Sequence, residues 1–286
     1  MQKRNLSIRK RIVMAGLVFL LPVGAWGIAV RWAGPMAGPI PQDLPHWVRR
    51  PPPLMAEFPP GETFLPDKEI RDLHAQGIRG RHIGIAIVDR PLLVEHREYT
   101  ERLRWYDEID CDPTEPAGWH ATAVASLAAG SNVGIAPEAD LYFVGVGMMW
   151  SREPMGNWFT ALRHMIHYGQ TLPMAIRRIL ECNRRLPADR KIRALSLSVG
   201  GGSSFLQAVE EARREGLFVA ALDLHVPPVG PVTFASPASP SAYTAHKIAA
   251  GSWGIARLAG RYALACQVDP QITPERFLRQ LKNGVR

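Results

Sequence analysis

From residue 67 onward the apolar positions fall into two alternating patterns. The first is a short, nearly unbroken run rich in β-branched residues: "HIGIAIVD", "ADLYFVGVG", "IRALSLSVGG" and "LFVAALD". Runs of this kind predict strands buried on both faces of a parallel sheet. The second is a longer stretch with helical spacing. "PDKEIRDLHAQGI" predicts a short helix stopped by Gly77, and "HATAVASLAAG" a helix built from small residues. "GNWFTALRHMIHYG" and "LPMAIRRILECNRR" predict two further helices, and "SSFLQAVEEARREG" another with a serine available to cap it. After a Pro- and Ser-rich loop over 226–244, Ser252 heads a small-residue helix through "GSWGIARLAGRYALAC". A last helix, "TPERFLRQLK", has Thr273 as N-cap, Pro274 at its first position and Glu275 in its first turn. Strands alternating with helices imply an α/β fold of three layers, a mostly parallel sheet flanked by helices.

The first 66 residues follow neither pattern. Lys3, Arg4, Arg9, Lys10 and Arg11 precede an uncharged apolar stretch over 12–30, closed by Arg31. Residues 1–34 therefore read as a cleavable signal peptide or as a single-pass membrane anchor. Either reading places the rest of the chain outside the cytoplasm, secreted or anchored in the cytoplasmic membrane, because the positive flank stays inside. Residues 35–66 hold ten of the 25 prolines, a density that forbids helix and ladder and makes a semi-rigid linker. Residues 67–286 form the expected globular domain.

Composition narrows the chemistry. The net charge is +8, but the basic residues are scattered as pairs with no aromatic interleaving, which argues against a nucleic-acid partner. Cys111, Cys182 and Cys266 lie far apart, which excludes a cysteine zinc site and allows at most one disulfide. The only acidic stretch that suggests calcium, "YDEIDCDPTE", reads as a solvated loop. No GxGxxG follows the first strand and no lysine follows "SVGGGSS", so a nucleotide site is not indicated.

In a parallel sheet, chemistry collects beyond the carboxyl ends of the strands. Asp89 ends the first strand and His120 leads the small-residue helix. Ser252 stands at the head of a second such helix. A serine hydroxyl becomes a nucleophile when a nearby histidine takes its proton, and a buried carboxylate fixes that histidine's tautomer.

These segments resemble the subtilisin-like serine peptidases. "GIRGRHIGIAIVD" is similar to the family's approach to its catalytic Asp. "HATAVASLAAG" with "VGIAPEADLYFVGV" is similar to its histidine helix and following strand, and "GSWGIARLAG" with "VDPQITPERFLRQLK" to its nucleophile and closing helices. The resemblance covers roughly residues 70–286 and implies a catalytic Asp89, His120 and Ser252. It implies that Ser198, Val199 and Gly200 bind the substrate backbone. It puts the oxyanion position at Asp223, where the family carries asparagine. Arg90-Pro91 stands where the family has a small hydroxyl residue and glycine, and Ala256 where it has proline. The segment between Asp223 and Ser252 is short, which implies a shortened C-terminal half. Ser241, with His246 five residues on, gives a second nucleophile frame, but its distance to Pro270 is too long and Lys247 suits a buried helix poorly.

The implied activity is peptide-bond hydrolysis on a peptide or protein substrate, with no organic cofactor and no metal. The alternative is a pseudopeptidase that only binds peptides or proteins. An Asp223 that must be protonated to donate a hydrogen bond predicts activity shifted toward acid.

Overall fold

A computed structural model describes residues 66–147, 158–221 and 240–284. Five strands run parallel in one sheet: β1 (Gly84–Asp89), β2 (Leu103–Ile109), β3 (Asp140–Val146), β4 (Ile192–Leu197) and β5 (Phe218–Ala221). Their order is β2-β3-β1-β4-β5, which puts β1 at the centre. Every residue of β1 and of β3 is buried, as continuous apolar runs require when helices cover both faces. The expected three-layer α/β architecture is therefore present.

The helices are α1 (Lys68–Ala75), α2 (Trp119–Ala129), α3 (Trp158–Arg185), α4 (Ser203–Arg214), α5 (Pro240–Val268) and α6 (Pro274–Gly284). On one face α2 packs against α5, and on the other α3 packs against α4. Ile85 and Ile87 of β1 share a core with Ala121, Val124, Ala128, Ala256 and Tyr262. Side chains alternate along a strand, so Asp89, two residues beyond Ile87, leaves the sheet toward α2 and α5.

Small residues set the spacing of that face. All nine positions from Ala121 to Ala129 are buried, so α2 is enclosed all round rather than along one stripe. A Cβ placed at Gly260 of α5 would lie 2.6 Å from Ile135 Cβ and 3.0 Å from the Ala128 carbonyl oxygen. At the far end of α5, Gln267 Oε1 accepts from the amides of Arg79 (2.9 Å), Gly80 (2.6 Å) and Arg81 (3.1 Å). Its amide nitrogen donates to the Gly77 carbonyl at 2.9 Å. The turn leading into β1 is thus tied to α5. Nearer the middle of α5, Arg257 and Arg261 hold Asp67, the N-cap of α1.

Four expectations need correction. "LRWYDEI" is an added strand, β2, at the sheet edge, and it takes in residues 106–109 of the acidic stretch read as a loop. Its alternation is blunted because charged side chains are tolerated on an edge. The two helices expected over "GNWFTALRHMIHYG" and "LPMAIRRILECNRR" are one helix of 28 residues with Pro173 inside it. The serine expected to cap α4 is its first helical residue: Gly202 is the N-cap, and no side chain caps the helix. Finally, α5 begins at Pro240, so Ser252 lies inside a helix rather than at its head. Gly251 looked like a start signal, but a long helix flanked by packing partners tolerates an internal glycine at about 1 kcal/mol.

The single long α3 has a consequence for the sheet's carboxyl edge. Its lower end is flush with the start of β4, where Asn183 Nδ2 donates to the Ile192 carbonyl and the Ile192 amide donates back to Asn183 Oδ1. At the other end of the sheet, His167 Nε2 donates to the Gly147 carbonyl, just past β3. Residues 158–166 continue the helix on the far side of that contact for about 13 Å along its axis, at 1.5 Å per residue.

Among the described residues no helix is long and apolar enough to cross a membrane. The segment 12–30 and the linker 35–66 lie outside the described residues, save Pro66.

Replacing Gly260 with valine is expected to force α5 away from α2 and to destabilise the domain by about 1–3 kcal/mol, as overpacking a close contact does. A thermal melt unchanged from the wild type would refute the close-packing argument.

Candidate active site

Asp89 and His120 meet because the chain after β1 is stapled to the start of α2. The Gly118 amide donates to the Pro91 carbonyl at 2.7 Å. Gly118 is the N-cap of α2, and a Cβ there would lie 2.8 Å from Arg90 Cβ. Arg90-Pro91 thus has a local role: Pro91 presents a carbonyl to Gly118, and only a residue without a side chain lets the two segments come so close. The Leu92 amide donates to the Tyr106 hydroxyl at 3.1 Å, which anchors the same segment to β2.

With those contacts made, His120 Nδ1 lies 2.9 Å from Asp89 Oδ2 and 3.0 Å from Oδ1. A carboxylate only accepts, so Nδ1 carries the proton in this contact and Nε2 is left with its lone pair. Asp89 is 4% exposed and also accepts from the Arg90 amide at 2.7 Å, which compensates part of the cost of burying a charge. The arrangement can hold an imidazole in one tautomer and stabilise the imidazolium formed when Nε2 takes a proton.

Aromatic rings close around His120. The Trp253 indole stacks on the imidazole with centroids 5.4 Å apart and planes at 24°. Trp119 meets His120 edge-on at 5.7 Å and Trp253 at 6.1 Å. Ser252, buried on α5, immediately precedes Trp253. The imidazole's hydrogen bonds among the described residues go to Asp89, and none joins it to Ser252. Resting contacts between a base and its nucleophile are often loose before substrate arrives.

Ser198, Val199 and Gly200 continue the chain beyond β4. The ladders stop at the pairs Val88↔Leu197 and Leu197↔Ala221, so Ser198 follows directly on the end of the ladder beside Asp89. Its hydroxyl is buried and has no hydrogen-bond partner among the described residues. Residues 198–200 lie past the end of β4 and belong to no strand. Asp223 lies outside the described residues, two positions past the end of β5. Ser241 is the second residue of α5.

The aromatic bracket escaped sequence reasoning. "GWH" and "GSWG" each carry a tryptophan next to a candidate residue, and that adjacency was the available signal. No disulfide joins Cys111, Cys182 or Cys266, and burial pushes Cys182 up to about 12 and Cys266 to about 11, far from the thiolate form that reacts. Among the described residues no group of three His, Cys, Asp or Glu side chains could hold a metal ion.

The profile of the Subtilase family (peptidase S8) matches residues 77–241, more than half of the chain. The chain belongs to that family. It is 33% identical over 84 residues to the subtilisin-like protease PopC of Myxococcus xanthus (strain DK1622), a match spanning 26% of this chain and 18% of that protein. Solved structures that the chain resembles over part of its length include a cold-adapted subtilisin-like serine proteinase. It is 13% identical, with a TM-score of 0.44 over 70% of this chain and 81% of the other. Another is the prenylagaramide maturation protease PagA, 14% identical, with a TM-score of 0.39 over 54% and 50% of the two chains.

Valine at Gly118 is expected to push the start of α2 off the Arg90–Pro91 segment and break the His120–Asp89 contact. The downfield resonance of the shared Nδ1 proton should disappear in the variant, and its persistence would contradict the stapling argument.

Proposed function

We propose that this chain is a serine endopeptidase that cleaves peptide or protein substrates through an acyl-enzyme. The observation that carries the reading is the Nδ1 contact between His120 and a buried Asp89, made at the carboxyl edge of the central strand of a subtilase fold. His120 Nε2 takes the Ser252 hydroxyl proton as Oγ attacks the substrate carbonyl carbon, and then delivers that proton to the departing amine. Water enters, His120 removes its proton, and the resulting attack on the ester releases the acid and returns the proton to Ser252. Asp89 stays ionised throughout and orients the ring. Ser198, Val199 and Gly200 pair with the substrate backbone.

Helix geometry supports Ser252 over Ser241. The two are eleven residues apart, about 16 Å along a helix that rises 1.5 Å per residue. Trp253 touches His120, so the turn carrying Ser252 is the one beside the base, and Ser241 is far up the helix from it. The export reading belongs to the same proposal: residues 12–30 direct the domain out of the cytoplasm, as a cleaved signal or as an anchor.

A fluorophosphonate probe, which labels only activated serines, tests the assignment on the full chain. Labelling should occur in the wild type and in Ser241→Ala, and vanish in Ser252→Ala and His120→Ala. Labelling lost in Ser241→Ala instead would move the nucleophile. A folded, unlabelled wild type would leave a peptide-binding pseudopeptidase.

Position 223 gives a second test. A carboxylate repels the developing oxyanion, and one missing donor costs about 3–4 kcal/mol, so Asp223 serves only when protonated. Labelling by the wild type should therefore strengthen as pH falls from neutral. Asp223→Asn should label about 100-fold or more faster at neutral pH. Equal rates for both proteins at neutral pH would remove Asp223 from the oxyanion site.

A further inference from the structure

The geometry points to Trp253 as a positioning residue for His120. It acts on the face of the imidazole rather than on substrate, and the inference rests on the triad reading above. A ring held at Nδ1 alone can still swing about the line to Asp89 and carry Nε2 away from a nucleophile that must sit within about 3 Å. The Trp253 indole removes that freedom. It lies nearly parallel to the imidazole at 5.4 Å and 24°, and it is itself 6% exposed, so the core fixes its plane. Trp119 closes a second side edge-on, at 5.7 Å from the imidazole. With carboxylate, face and edge all occupied, the ring has one orientation in which these contacts persist.

The same stack bears on charge. His120 lies in the first turn of α2, where the helix dipole opposes a positive imidazolium, and that turn contains no acidic residue. An indole face attracts a cation, so Trp253 adds to Asp89 in stabilising the protonated base. Among the described residues, Arg90 follows Asp89 and its amide donates to that carboxylate, while Arg257, one turn along α5 from Trp253, is drawn to Asp67.

Stacking His120 against Trp253, the neighbour of Ser252, also couples base and nucleophile. Any shift of α5 moves Ser252 and the plate behind His120 together, which holds their relation constant.

The test compares the wild type with Trp253→Phe, Trp253→Leu and a protein carrying tetrafluorotryptophan at position 253, which keeps the indole's shape while weakening its attraction for cations. Two quantities are read on folded protein: fluorophosphonate labelling, resolved into kinact and KI, and the titration of His120 followed by NMR. Trp253→Leu should lower kinact about threefold to thirtyfold with KI within about twofold, and Trp253→Phe should retain most of the rate. The His120 imidazole should hold its proton less readily in the leucine and fluorinated proteins than in the wild type. A labelled wild type matched by Trp253→Leu in both kinact and the His120 titration would reduce Trp253 to core filling and overturn the inference alone. A fluorinated protein whose His120 titrates as in the wild type would overturn it too, even if the leucine protein failed to fold. A folded wild type that is never labelled would overturn the triad, and the catalytic role of Trp253 with it.

Discussion

How closely α2 approaches β1 and α5 governs everything at the carboxyl edge of the sheet. That approach is a matter of missing side chains. Gly118 has none where α2 meets the Arg90–Pro91 segment, and Gly260 has none where α5 crosses Ala128 and Ile135. The nine buried residues of α2 include five alanines. A helix so poor in large groups contributes little hydrophobic stabilisation per residue, about 25 cal/mol for each Å² removed from water. What it contributes instead is position. It brings His120 to within 3 Å of a carboxylate and beneath an indole from a different helix.

The buried carboxylate depends on the same closeness. Taking Asp89 out of water is costly unless its oxygens are satisfied, and its two donors, the Arg90 amide and His120 Nδ1, both come from segments that Gly118 holds together. If α2 moved outward by an ångström or two, Asp89 would be left buried and short of a partner. Packing and electrostatics are therefore one constraint here, and the aromatic bracket adds a third wall to it.

Much of this was legible in the sequence wherever burial was uniform. β1, β3, β4 and β5 read as strands because both faces are covered, and α2 read as a closely packed helix because its residues are small on every side. Asp89 and His120 followed from their places at a strand end and a helix start. The strand β2 was hidden because it lies at an edge, where Arg104, Asp107 and Glu108 interrupt the apolar run and Arg104 and Asp107 find partners in Asp140 and Arg178. α3 was split in two because Gly169 and Pro173 are strong local breakers, yet Leu172, Ile176 and Ile179 are buried along its length and tertiary packing outweighs them. Ser252 was misplaced at a helix start for the converse reason: Gly251-Ser252 has the chemistry of a start, and nothing local reveals that the helix begins at Pro240.

That displacement alters the demands on the site. At a helix start the amide of a serine is free to donate, and it can help hold an oxyanion. Within α5, at the thirteenth residue of the helix, the amide of a serine belongs to the i→i−4 ladder rather than to the free amides of the first turn. A nucleophile placed there can count on His120 for its proton but not on its own backbone for the charge that develops on substrate. The burden falls on whatever group approaches from the chain beyond β5, and the sequence puts an aspartate at that point. A serine inside a helix and a carboxylate at position 223 are thus two departures that compound one another. On the proposed assignment of Ser252 and Asp223, each removes a donor from the same oxygen, so a protonated Asp223 would matter more to this chain than to one whose serine begins its helix.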